Sequence, residues 1–181
     1  MPQPEVHRVA VVRAANAGAR QGTIQFGGYS FRCALGAGGC RHDKREGDGA
    51  TPIGLWPVRQ VFYRADRLTL PTLPRTALPI GEQDGWCDTP GDPSYNRPVQ
   101  HPYPASAEHL WRKDGVYDVI VVLGYNDDPV RPGLGSAIFM HVARPDYAPT
   151  TGCVALSLPD LITLLRISPM LAAVRVEPPG S

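Results

Sequence analysis

A histidine closes an apolar run, Ala137-Ile138-Phe139-Met140-His141, and further along a cysteine follows two hydroxyl residues and a glycine, Thr150-Thr151-Gly152-Cys153-Val154. A free cysteine thiol is only a few per cent ionised near neutrality, so a nucleophilic one needs a base or cation beside it. His141 is the candidate base. The connecting stretch from Val142 to Pro149 holds two prolines and no helix or strand period, the mark of an ordered excursion that brings the chain back near its start. Gly152 can take backbone angles closed to other residues. That freedom would turn the amides of Gly152 and Cys153 toward one point, where an oxyanion could sit beside the sulfur. The plainer alternative is a buried, small, apolar cysteine and a hydrogen-bonded core histidine, and a lone His/Cys pair does not separate the two.

The elements that must position this pair read as mostly strands. Val6 to Arg13 is a β-branched run, and Gly22 to Phe26 with Tyr29 to Leu35 alternates about Gly27-Gly28 in the manner of a hairpin. Gly54 to Tyr63 continues as a strand, and Ala172 to Val176 closes the chain as another. Tyr117 to Gly124 is nearly all apolar, as expected of a strand covered on both faces. One helix is legible. Ser157-Leu158-Pro159-Asp160 supplies a capping hydroxyl, a carboxylate three residues on and a proline in the first turn. Leu158, Leu161, Ile162 and Leu165 then share a face, so the helix would pin the Cys153 strand from behind. Between Leu70 and Leu110 the chain is crowded with Pro, Gly, Asp and Asn; it is expected to be a long irregular loop, either a lid or a plug held by Trp86, Tyr95 and Tyr103.

At 181 residues the chain is long enough for one domain and short for two. Its 20 prolines and 19 glycines exceed average usage, and its charged fraction of 19% falls below it. Many punctuated loops between short strands follow. A net charge of +1 argues against a nucleic-acid footprint. The densest charge cluster, Arg41 to Glu46, alternates in sign and reads as a solvated loop. No run reaches the roughly 18 apolar residues of a membrane span, and Met1 to His7 is polar, unlike a signal peptide. With Cys153 kept free, Cys33, Cys40 and Cys87 leave an odd thiol, so reduced cysteines are expected. The spacing of Cys33, Cys40 and His42 matches no common zinc pattern and offers three ligands; no metal and no cofactor is expected.

His141 followed by Thr150-Thr151-Gly152-Cys153 resembles the signature of the YkuD-type L,D-transpeptidases, a histidine, a loop and then [Ser/Thr]-x-Gly-Cys. Upstream, Lys44-Arg45-Glu46-Gly47-Asp48-Gly49-Ala50-Thr51-Pro52-Ile53-Gly54 resembles the Lys-x-x-Gly-Asp-x-x-Thr-Pro-x-Gly segment of the same family. Tyr125-Asn126-Asp127-Asp128 with Gly135 to His141, together with Trp86-Cys87-Asp88 and Tyr95-Asn96-Arg97-Pro98, is similar to a compact proteobacterial branch. One departure stands out. Many members place an arginine two residues beyond the cysteine, where this chain has Ala155; Arg144 or Arg131 could replace it.

The resemblance implies a mainly β, sandwich-like catalytic domain and a two-step acyl transfer in which Cys153 attacks as a thiolate, His141, an imidazolium while paired with it, shuttles protons, and the Gly152 and Cys153 amides hold the oxyanion. A backbone carbonyl or a hydroxyl would orient His141, and Ser136, Thr150 or Thr151 could contribute. Tyr125, Asn126, Arg144, Thr150 and Thr151 are the expected substrate contacts. The implied partners are peptidoglycan stem peptides, joined through meso-diaminopimelate as 1-3 bridges from L-Ala or otherwise as 3-3 bridges. A monomer in the periplasm is expected. Hydrolysis of the thioester would make an L,D-carboxypeptidase or cross-link hydrolase instead, and a non-catalytic wall-binding module or a thiol redox role are the rival classes.

Overall fold

The structure, a computed structural model, describes residues 8–69 and 76–180. The chain is mainly β. It begins with β1 (Val9–Ala14), β2 (Gln21–Phe26) and β3 (Tyr29–Ala34), paired antiparallel in that order. β2 and β3 meet at Gly27-Gly28, where the φ of 56° at Gly27 suits a residue without a side chain. β4 (Cys40–Arg41) and β5 (Thr51–Pro52) pair in parallel and bracket the Lys44-to-Asp48 segment. The long β6 (Gly54–Tyr63) has the bounds its sequence predicts. Then come β7 (Leu78–Pro79), β8 (Asp84–Cys87), β9 (Pro98–Gln100), β10 (Ala107–His109), β11 (Val119–Leu123), β12 (Phe139–Val142), β13 (Val154–Leu156), the helix α1 (Leu158–Ile167) and β14 (Ala173–Val176). Of the predicted first strand, Val6 and His7 lie outside the described residues, as does the start of the predicted loop, 70–75.

The main sheet runs β11-β12-β13-β3-β2-β1-β14-β6-β7, and β6 also pairs with β11. Ten residues let β6 serve two partners. Its first part, Gly54 to Pro57, lies against β14, and its second, Val58 to Tyr63, against β11. The sheet therefore turns back on itself around a single apolar interior. Alternating residues supply that interior: Ala10 and Val12, Val61 and Tyr63, Val119 and Val121, Met140, and Val154 with Leu156. Leu161, Leu164 and Leu165 of α1 join them. Ser157 Oγ accepts the Asp160 amide at 3.2 Å and starts the helix.

The outer face of β11 to β13 is covered too. Ile120, Val122, Phe139 and Cys153 pack there with Trp86, Leu110, Val116 and Tyr117. Double coverage explains why all five residues of β11 are buried. The segment expected to be irregular thus contains strands: β8, β9 and β10 form their own antiparallel sheet, and β7 extends the main one. Strands of two to four residues are too short to show a period in sequence.

Asn96 ties this small sheet down. Its side chain is buried, with φ at 55°, and every hydrogen-bonding position of the amide is used. Oδ1 accepts from Trp86 Nε1 and the Ala137 amide, both at 3.0 Å, while Nδ2 donates to the carbonyls of Tyr125 at 3.0 Å and Asn126 at 2.8 Å. Removing the amide strands two buried donors and two acceptors. Asn96→Ala is expected to cost about 3 kcal/mol, read as a lowered urea midpoint with an unchanged slope.

Candidate active site

Strand register brings the two motif residues together. β12 and β13 run parallel with Met140 opposite Val154 and His141 opposite Ala155. Met140 and Val154 point into the interior, so Phe139, His141, Cys153 and Ala155 share the outer face. Cys153 sits level with Phe139, whose amide donates to Sγ at 3.4 Å. His141 is one strand across and two residues along, a diagonal neighbour. Helix α1 packs on the opposite face, behind the cysteine, as its sequence suggested.

The excursion between them is held at both ends. The Ala143 amide reaches the Leu156 carbonyl at 2.6 Å, and Thr150 exchanges backbone bonds of 2.9 Å with Leu35 and Ala37. Thr150 Oγ1 donates to the Cys153 carbonyl at 2.7 Å and accepts the Gly152 amide at 3.1 Å. That hydroxyl therefore occupies one of the two amides expected to form an oxyanion hole. Gly152 has φ of 131°, and a Cβ there would lie 2.7 Å from the Ala50 carbonyl oxygen. Only glycine lets this turn press against the segment after Asp48.

The resting charge state differs from the expected thiolate and imidazolium. Cys153 is 4% exposed and His141 8%. Burial, with the nearby Glu108 charge adding to it, pushes the thiol up to about 12, against the opposing pull of the Phe139 amide and Lys44. Burial likewise brings the imidazole down to about 4, opposed by its bond to Val142. Both groups are neutral at physiological pH, because desolvation outweighs everything the neighbours return. The thiol donates to the Ala137 carbonyl at 3.3 Å. Ala137 itself holds φ of 52°, a left-handed conformation rare for alanine, fixed by its bond to Asn96.

Of the two kinds of partner expected for His141, the structure has the backbone carbonyl. Nδ1 lies 2.9 Å from the Val142 oxygen. A carbonyl can only accept, so Nδ1 carries the proton and Nε2 keeps its lone pair. The Tyr117 ring packs edge-on against the imidazole at 5.3 Å. Ser136 turns away and donates to Glu46 at 2.7 Å.

A cavity of about 190 Å³ opens beside His141, lined among others by Arg112, Tyr117, Arg144, Thr150 and Thr151. Arg144 lies 3.8 Å from Asp114, and Arg112 grips that same carboxylate with two bonds of 3.0 and 2.6 Å. Since Ala155 also lines this cavity, these two arginines stand near where many relatives carry one at the strand itself. Arg131 is exposed, and its backbone is bound by Asn126. Tyr125 and Asn126 do not reach the cavities beside the thiol. Tyr125 donates to the Leu134 carbonyl at 2.5 Å and packs edge-on against Trp56. Asn126, at φ 48°, spends its amide on Arg131 and Gly135. Both shape the loop before β12.

Several charged residues at this site were given no role from sequence. Lys44 is buried, not solvated, and pairs with Asp48 at 2.8 Å. Burial alone would raise the Asp48 carboxyl, yet the Lys44 bond and the Ala50 and Arg45 amides hold it below its usual value. Glu46 accepts from Tyr95 and Ser136. β10 carries Glu108 to the mouth of the His141 cavity, where Tyr117 donates to it at 2.5 Å. The motif around Lys44 and Asp48 was visible in sequence; for Glu108 and Arg112 no spacing pointed to the cysteine. Cys33, Cys40 and Cys87 are buried free thiols and His42 is exposed; among the described residues Cys33, Cys40 and His42 do not form a group that could hold a metal ion.

A mainly β chain with a cysteine and a histidine on one sheet face, beside a cleft of titratable side chains, defines the class. Residues 15–176 match the YkuD family, the L,D-transpeptidase catalytic domain, over nearly the whole chain. The protein belongs to that family. No curated protein matches it.

Two outcomes are expected. In the free protein, alkylation of Cys153 by iodoacetamide should keep climbing with pH well above about 8, and Glu108→Gln should speed it several-fold by removing the adjacent charge. A plateau near neutrality in peptide mass spectrometry would mean that a thiolate already exists. Gly152→Ala should destabilise the fold by at least about 1–3 kcal/mol, because the backbone angle and the Ala50 carbonyl both oppose a Cβ; calorimetry reads the fall in Tm.

Proposed function

We propose that the protein is a peptidoglycan L,D-transpeptidase that works through a thioester on Cys153. The observation that carries the reading is the placement of Cys153 and His141 on one sheet face, with Nε2 of His141 left as a base by the Val142 carbonyl. Membership of the family adds the reaction class.

The chemistry follows from the neutral pair. A thiol that starts protonated loses its proton as it attacks, so the sulfur–carbon bond forms while the proton passes to Nε2. The carbonyl belongs to an L-residue, and its carbon–nitrogen bond to a D-residue breaks. The imidazolium returns its proton to the departing nitrogen, leaving a thioester. In the second step the side-chain amine of a neighbouring diaminopimelate attacks. Its nitrogen bonds to the acyl carbon, its proton passes through His141, and the sulfur leaves and regains that proton. Gly152 serves through its backbone, and its amide becomes free for an oxyanion once the Thr150 hydroxyl lets go.

Arg144, Thr150 and Thr151 line the cavity that would receive donor peptide. Arg144, which approaches Asp114 only to 3.8 Å, suits a carboxylate of that peptide better than Tyr125 or Asn126, whose polar atoms are engaged. The bond cut is taken as L-Ala to D-Glu, giving 1-3 bridges, and the compartment as the periplasm, where the polymer stands.

Sacculi digested after incubation with the protein should contain new muropeptide dimers by liquid chromatography and mass spectrometry. Cys153→Ala should make none, and His141→Gln should slow their formation about 10²–10⁴-fold. A carbapenem should add its mass to the wild-type protein and not to Cys153→Ala. Dimers that persist in Cys153→Ala would refute the reading, and trimmed monomers alone would favour a carboxypeptidase.

A further inference from the structure

The closed sheet has outer faces of opposite character. Over β11 to β13 the outer side chains are packed under Trp86, Leu110 and Tyr117. On β1, β14 and the start of β6 they stay open to solvent among the described residues, with Leu55 49% exposed, Arg175 exposed, and Val9 and Val11 partly so. Alternation decides which side chains these are. Ala10, Val12, Val174 and Val176 point into the core, and the register then sets Val9 beside Ala173, and Arg175 between Val11 and Leu55. A groove of about 460 Å³ runs here, floored by Val9, Val11, Leu55 and Ala173 and flanked by Arg8 and Arg175.

The charge on this face is one-sided. Arg13 holds Glu177 at 2.7 Å, so that pair cancels. Arg8 donates to a backbone carbonyl, that of Met170, at 3.2 Å, and Arg175 makes no side-chain bond among the described residues. The next outward residues, Thr23 and Gln25 of β2, are uncharged. Arg8 and Arg175 thus leave two uncompensated positive charges on one face of a chain whose total is +1. Beside Arg8, Met170 is 66% exposed.

This combination selects the partner. An anionic polymer would answer the guanidiniums and leave Leu55, Met170 and the floor of the groove in water. A bilayer offers phosphate at one depth and hydrocarbon just beneath it, and phosphate oxygens match the guanidinium fork. We propose that the outer face of β1, β14 and the start of β6 docks the protein on a bilayer surface bearing anionic phosphate headgroups, with Arg8 and Arg175 at the phosphates and Leu55 and Met170 at the acyl boundary. Orientation follows from the sheet order. Round the closure, β1 lies four strands from β12 in either direction, and β14 four from β13. Docking here turns the cleft of Cys153 and His141 away from the membrane, toward a substrate too large to pass beneath the protein. The inference goes beyond the transpeptidase reading, and lipid binding stands or falls without it.

The test is co-sedimentation of the full chain with vesicles of phosphatidylcholine alone or mixed with phosphatidylglycerol. The mixed vesicles should bind the protein at low ionic strength and release it at high salt, while the neutral ones bind little. Arg8→Gln and Arg175→Gln should each weaken binding about five-fold, and the pair together about thirty-fold. Arg175→Lys, which keeps the charge, should bind nearly as the wild type does. Leu55→Ser should lose about ten-fold at unchanged charge. These side chains are exposed, so each variant should keep the wild-type Tm and, in solution, the wild-type yield of muropeptide dimers. Equal binding to both vesicle types, no binding at low salt, or binding indifferent to all of these substitutions overturns the proposal. So does a dimer in light scattering that Leu55→Ser dissociates, which would give the face to a second copy, or retention on polyglutamate without vesicle binding, which would give it to an acidic protein.

Discussion

The four hydrogen bonds of the Asn96 side chain join three pieces of chain: the small sheet of β8 to β10, the turn at Tyr125 and Asn126, and the entry to β12 at Ala137. Ala137 is the residue whose carbonyl receives the Cys153 thiol. The amide thus sets the left-handed bend that aims this carbonyl, and the bend starts the strand that ends on His141. Trp86, gripped by the same amide, packs edge-on against Phe139 at 5.1 Å, and the Phe139 amide reaches the sulfur. Position at the cleft is inherited in large part from one saturated polar side chain.

Around that scaffold, burial decides the electrostatics. The same coverage that makes β11 to β13 a rigid floor strips water from Cys153 and His141 and keeps both uncharged. Lys44, buried with Asp48 against the Gly152 turn, pulls the thiol the other way but ranks last among its influences. The ion pair expected from the residue types alone gives way because a sequence shows which groups are near in type, not how much solvent remains around them.

What was legible in the sequence was local. The hairpin at Gly27-Gly28, the bounds of β6, the cap at Ser157 and the return of the chain from His141 to Cys153 all follow from short-range period and turn chemistry. Closure of the sheet was not legible, because β6 divides its length between β14 and β11 and those partners are chosen by tertiary contact. The middle of the chain looked irregular since its strands are two to four residues long and depend on side-chain clamps for order. Glu108 and Arg112 escaped notice for a related reason: β10 carries the first to the cleft through pairing with β8, and the second follows close behind it, so neither falls within any motif. Lys44 and Asp48 sat inside a recognisable segment yet looked like surface charge.

The near-complete enclosure of the sulfur carries a consequence for the fate of any acyl group it holds. An acyl group on that sulfur would take the place of the thiol proton now given to the Ala137 carbonyl, beside the Phe139 amide. At 4% exposure the sulfur leaves water little room to approach a carbonyl bound to it. The time such a group would stay there, more than the strength of the nucleophile, would decide between passing it to an amine and losing it to water.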